Sequence, residues 1–115
     1  MDADYRSWGN GMCVFGLFEH DWPNRVVDIH MAVRPDVRKQ YIGMMAVEDL
    51  IKECKLEGIS EMRALITGPY TFVICGMAKK LGFKFKRVFQ GPQAGKMVDI
   101  IDMRLPLKGD NRKGE

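Results

Sequence analysis

The stretch RKQYIGMMA, residues 38–46, joins an apolar run, RVVDIHMAV at residues 25–33, to a segment with helical spacing. A strand that turns through a short polar loop into a helix leaves backbone N–H groups without partners at the helix start, where the dipole also favours an anion. Such a junction can cradle a pyrophosphate. Gly43 and the cations Arg38 and Lys39 suit that use, whereas Tyr41 stands where a glycine would admit a ligand closest to the backbone.

Downstream, Ala46, Val47, Leu50, Ile51 and Cys54 recur at helical spacing, with Glu48, Asp49, Lys52, Glu53 and Lys55 largely opposite. This predicts a helix over residues 42–56, stopped by Gly58. EMRALIT, residues 61–67, follows as a strand, and the short connection makes it parallel to the strand before the helix. Gly68 and Pro69 open a second helix whose apolar face is Ile74, Met77, Ala78 and Leu81, with Gly82 as its cap. FKFKRVFQ (83–90) alternates as a half-exposed strand does; after the loop GPQAGK (91–96), MVDIIDMRLPL (97–107) returns beside it as an antiparallel partner.

Upstream, MCVFGLFEH (12–20) reads as a strand broken by DWPN (21–24), so it forms a hairpin with RVVDIHMAV. Period-two alternation in the second arm puts Asp28 and His30 on one face and Val27, Ile29 and Met31 on the other. The tail KGDNRKGE (108–115) has no apolar residue and reads as a flexible charged end.

With 115 residues, 46% apolar and 29% charged, the chain suits one domain with a modest core. Three cysteines without C-x-x-C spacing and two histidines give neither a disulfide framework nor a metal site, and Cys13, Cys54 and Cys75 read as buried thiols. The net charge of +3 does not imply nucleic acid, and no run has the length of a membrane span. A cytoplasmic protein is expected.

The order strand, strand, phosphate-type loop, helix, strand, helix, strand, strand resembles the GNAT superfamily of acyl-CoA-dependent N-acyltransferases over residues 12–107. VRPDVRKQYIGMMA (33–46) is similar to that family's strand ending in Val-x-Pro followed by Q/R-x-x-G-x-G/A at the head of the central helix. Arg38 takes the Q/R place and Gly43 the last glycine, while AKKLGF (78–83) is similar to the end of the family's later helix. The resemblance implies an α/β single domain, a minimal GNAT-like fold with a mixed sheet of about five or six strands and two main helices. It implies acetyl-CoA as co-substrate, no metal, and acetyl transfer to a primary amine. The coenzyme pyrophosphate would meet the backbone of Arg38, Lys39, Gln40, Tyr41, Ile42, Gly43 and Met44, and the pantetheine arm would follow Met31, Ala32 and Val33 where two parallel strands splay apart. Thr71, in the place of an asparagine often found near the later helix start, joins the coenzyme contacts.

Three departures from the pattern concern catalysis. Tyr41 replaces the first motif glycine, Thr71 replaces the asparagine, and Ala78 replaces the tyrosine often used as general acid. Against the resemblance, the part that usually builds the acceptor side is expected to be missing or reduced to MDADYRSWGNG (1–11). Asp28 or His30 is the expected general base, or the two form a cross-strand polar pair on a solvated face. Glu19 and His20 on the neighbouring strand would extend such a site. Tyr70 is the substitute acid or simply packs, Cys75 is core rather than nucleophile, and FKFKRVF is an amphipathic strand rather than a nucleic-acid strip. A non-catalytic structural or interaction module is the alternative, and compact versions of this fold occur in bacteriophage proteins. An unknown amine or protein partner, and an assembly of like chains, are compatible with either reading.

Overall fold

A computed structural model describes residues 4–36 and 42–107. Along the chain run β1 (Asp4–Trp8), β2 (Cys13–Asp21), β3 (Val26–Val33), α1 (Ile42–Leu56), β4 (Glu61–Ile66), α2 (Thr71–Lys80), β5 (Lys84–Gln93) and β6 (Lys96–Pro106). The strands form one sheet in the order β1-β2-β3-β4-β6-β5. Only β3 and β4 pair in parallel; the other neighbours are antiparallel. This is the α/β mixed-sheet architecture expected from the sequence, with its two helices in the expected places.

The N-terminal segment, where the family's first strand and two helices are expected to be missing or reduced, supplies β1, an edge strand held to α1 by side chains. Arg6 reaches Glu53 at 3.0 Å and Glu57 at 2.7 Å, and Trp8 Nε1 donates to Asp49 at 2.7 Å. The last hairpin is tighter than the sequence suggests. Residues 91–93 continue β5, and the chain reverses at Ala94 (φ 51°) and Gly95 (φ 78°), both left-handed as a two-residue hairpin of the primed type requires. Pro92 is tolerated because β5 is the edge strand among the described residues, with no strand outside it there to receive a donor.

Both helices end in the same motif. Past α1, Ile59 N–H bonds to Cys54 O at 3.0 Å and Gly58 N–H to Lys55 O at 3.2 Å; past α2, Phe83 N–H bonds to Ala78 O at 2.9 Å and Gly82 N–H to Lys79 O at 3.0 Å. These Schellman closures need a left-handed residue, and glycine takes it without a Cβ clash at Gly58 (φ 80°) and Gly82 (φ 103°).

Alternation along the strands separates two faces. Cys13, Phe15, Leu17, Val27, Met62, Met103 and Leu105 form one buried cluster with Ala46, Val47, Leu50 and Cys54 of α1 and Ala78 of α2. Both described helices therefore lie on that side. The opposite face carries a ladder of charges: Arg63 pairs with Asp28, and Arg104 bridges Glu61 and Asp102. Asp102 is fully buried there. A bulge between Phe85 and Arg87 shifts the alternation of β5 and sets Arg87 opposite Asp102, 3.4 Å away.

Cys13 and Cys54 are buried as expected, but Cys75 is only half-buried because it lies on the flank of α2. No described helix is long and apolar enough to cross a membrane.

Candidate functional site

The parallel ladder between β3 and β4 stops early. It pairs Val26 with Glu61 through Ile29 with Ala64, although β3 runs on to Val33 and β4 to Ile66. Past that point each strand stays bonded to its outer neighbour, β3 to β2 as far as Val33 and β4 to β6 as far as Ile66. The sheet therefore splits down the middle. Its opening leaves residues 30–32 and 65–66 without a ladder partner across the gap, so main-chain donors and acceptors face a space that an amide-bearing chain can enter.

A cleft of about 450 Å³ occupies this opening. Its walls are mostly apolar: Met31 from β3, Met44 and Val47 from α1, and Ile74 and Met77 from α2. Both faces of the sheet contribute. Ile29 and Ala64 belong to the helix side, whereas His30, Leu65 and Ile100 belong to the other, so the cleft reaches through the split from one face to the other.

The head of α1 forms one end. Its first described turn holds no acidic side chain, so no carboxylate there opposes an anion at this end of the helix. Gly43 lines the cleft here beside β3: a Cβ at this position would make ordinary contacts with Met31 Cε at 3.4 Å and Val33 Cγ2 at 3.6 Å. Ile42 is buried at the helix start and Met44 lines the cleft. Arg38, Lys39, Gln40 and Tyr41, the rest of the expected pyrophosphate loop, lie outside the described residues. Of the expected pantetheine contacts, Met31 lines the cleft, and Ala32 and Val33 continue the same stretch of β3.

The acid and base candidates separate. Asp28 and His30 do share the face away from the helices, but Asp28 is held by Arg63, whose Nε and Nη2 each donate to one carboxylate oxygen at 2.6 Å. Both lone-pair edges of that carboxylate are engaged. His30 is exposed, lines the cleft, and meets the ring of Phe18 at a tilt of 55°, with centroids 4.7 Å apart. Glu19 stands opposite Val27 and so takes the alternation of the helix side, away from Asp28. His20 lies beyond the last regular pair of β2, at its bulge.

Tyr70 precedes α2 and is 67% exposed, outside the cleft wall. Thr71 turns its hydroxyl back to donate to Gly68 O at 2.6 Å. Ala78 lines the cleft and is buried, so the α2 wall there is methyl, not phenol. Arg63 was the important residue missed from sequence. A lone cation inside the apolar run EMRALIT signals a buried partner, but the partner lies 35 residues away and is set only by strand register.

The model of the acetyltransferase (GNAT) family matches residues 11–83. No curated protein matches the sequence. Among solved structures, the chain is similar to a GNAT superfamily phosphinothricin acetyltransferase from Sinorhizobium meliloti in complex with AcCoA: 21% identity, TM-score 0.71, covering 90% of this chain and 60% of that one. It is also similar to an N-acetyltransferase from Staphylococcus aureus Mu50 (21% identity, TM-score 0.73, 88% and 65% covered). The ribosomal-protein-S18-alanine N-acetyltransferase from Escherichia coli is similar in the same way (20% identity, TM-score 0.70, 90% and 66% covered). At these identities the likeness is one of fold. The chain spans less than two thirds of each of those proteins.

Proposed function

This chain belongs to the acetyltransferase (GNAT) family, and from that premise we propose that it binds acetyl-CoA in the split of the sheet and passes the acetyl group to a primary amine. The observation that carries this reading is the early end of the β3–β4 ladder, with a cleft through it and the head of α1 at one end. The main-chain groups of residues 30–32 suit the amides of a pantetheine arm, and the head of α1 suits its pyrophosphate. Because these contacts are main-chain groups, Thr71 in place of the usual asparagine leaves the cradle available.

The thioester supplies an activated acyl carbon. The amine nitrogen attacks it, the C–N bond forms, the C–S bond breaks, and the coenzyme leaves as thiolate. His30 takes the proton that the amine loses, a role supported by its position in the cleft lining and by the engagement of Asp28 with Arg63. The proton taken up by His30 returns through water to the thiolate, so the coenzyme departs as the thiol and the imidazole is neutral again.

A second reading, a coenzyme-holding module without turnover, is favoured by the α2 wall, where Ala78 offers no proton to the leaving group. Calorimetry with acetyl-CoA and with CoA, followed by measurement of thioester loss in the presence of amines, decides between them. Binding with turnover supports the enzyme and binding alone the module. Absence of binding at millimolar coenzyme refutes both.

A further inference from the structure

On the face of the sheet away from the helices, three rings stand in a row leading to the cleft. Tyr5 and His30 flank Gly16 on either side, each its direct register partner, in β1 and β3. Phe18 lies between them: its ring is 4.7 Å from that of His30 and 6.2 Å, edge-on, from that of Tyr5. The glycine makes this possible. A Cβ at Gly16 would meet Phe18 Cε1 at 3.0 Å and Tyr5 Cε1 at 3.2 Å, so both rings lean over a backbone that carries no side chain of its own.

The row starts at an exposed end and finishes in the cleft wall. Tyr5 is 70% exposed, Phe18 half-buried, and His30 both exposed and part of the cleft lining. A cross-strand aromatic cluster serving only the sheet would gain by burying its rings. This one leaves ring surface in water beside the residue placed to accept a proton.

We propose that the Tyr5–Phe18–His30 row is the acceptor platform, and that it takes a primary amine carried on an aryl group. The aryl body rests on Tyr5 and Phe18, and its short arm brings the amine to His30 at the cleft mouth. Aromatic faces attract both another ring and the ammonium form in which such an amine arrives. The inference rests on the acetyl-transfer reading for its chemistry, but its binding step can be tested without it.

Two measurements separate them. Acetyl-CoA titration tests the coenzyme reading alone. For the platform, 2-phenylethylamine is titrated into coenzyme-free protein while the ring resonances of Tyr5, Phe18 and His30 are followed by NMR, with n-butylamine as control. The expected result is saturable shifts of these rings with the aryl amine only, lost in Tyr5→Ala and kept in Tyr5→Phe. In acetyl transfer, the KM for 2-phenylethylamine should be about tenfold below that for n-butylamine in the native protein and in Tyr5→Phe, a difference that Tyr5→Ala erases. Equal shifts with both amines overturn the platform, as does a Tyr5 ring that responds to protein concentration rather than to amine, which marks the face as an interface between copies. Ring shifts in a protein that binds no acetyl-CoA uphold the platform and sink only the coenzyme reading.

Discussion

Arg63 of β4 holds both carboxylate oxygens of Asp28 on β3, each at 2.6 Å, across the last stretch where the two parallel strands still pair. Both side chains are mostly buried, at 10% and 15% exposure. The pair locks the closed half of the sheet directly beside the point where it opens. It therefore positions the cleft rather than acting in it.

Asp28→Asn should cost about 2 kcal/mol of stability, because it replaces a bidentate charge pair with one neutral contact and leaves Arg63 partly unpaired. Thermal melting should show the loss, while the pH profile of acetyl transfer keeps its native shape. By contrast, His30→Gln should lower kcat/KM by about a hundredfold with melting unchanged. If Asp28→Asn reshapes the pH profile and His30→Gln does not, the assignment of the base is reversed.

At Gly43 the available space separates two substitutions. A methyl would stand 3.4 Å from Met31 Cε, an ordinary contact, so Gly43→Ala should fold and bind coenzyme within a few-fold of the native protein. Gly43→Glu adds bulk and a negative charge at the head of α1 and should weaken CoA binding by more than about tenfold. Calorimetry on both variants checks this, and undiminished affinity in Gly43→Glu would move the pyrophosphate elsewhere.

Ala78 stands where the family often carries a tyrosine, which suggests that Ala78→Tyr would restore an acid. Its burial among core residues argues otherwise. The ring should overpack the α2 wall, cost about 1–3 kcal/mol, and fill cleft space that the coenzyme needs. Lower melting with weaker CoA binding is the expected outcome; a faster enzyme with native melting would show that the wall can open.

Asp102 ties stability to acid. Burial of its carboxyl works to raise the pKa, but the hydrogen bonds and charge of Arg104, with the charge of Arg63 and the hydrogen bond from Arg87, outweigh it and hold the group below its ordinary 3.8. A depressed folded pKa gives stability that is present above the unfolded value and lost as pH falls through the folded one. Asp102→Asn should therefore cost about 1.5–3 kcal/mol at pH 7, the worth of charge-assisted hydrogen bonds, because Arg104 keeps Glu61 and Arg87 is half open to water. The gap between native and variant should close only as the pH drops below about 4. A gap that is constant down to pH 2 would contradict this.

The three thiols should react unequally. Burial pushes the Cys54 thiol up to about 11 and raises Cys13 and Cys75 as well, but only Cys75 is partly open to solvent. Mass spectrometry after brief alkylation of native protein at pH 8 should find Cys75 modified first, with Cys13 and Cys54 reacting only on unfolding. Early labelling of Cys54 would mean that α1 separates from the sheet.

The local periods were legible in the chain itself. Spacing of Ala46, Val47, Leu50 and Cys54 gave α1 and its buried face, Gly58 and Gly82 marked the helix ends, and alternation in β3 put Asp28 and His30 on one side. Those features depend on residues within a turn or two of each other, so propensity and period suffice. Segment order and the family signature carried the fold further, to a mixed sheet with one parallel pair. Register did not follow from either. That Arg63 meets Asp28, that the ladder ends at Ile29 and Ala64, that a bulge brings Arg87 to Asp102, and that Gly16 makes room for the rings of Tyr5 and Phe18 are all long-range placements. One residue of slip in any strand would send these side chains to the opposite face. Packing of the whole sheet against two helices sets that register, so only the tertiary structure could turn Asp28 from a candidate base into half of an ion pair and leave His30 at the cleft.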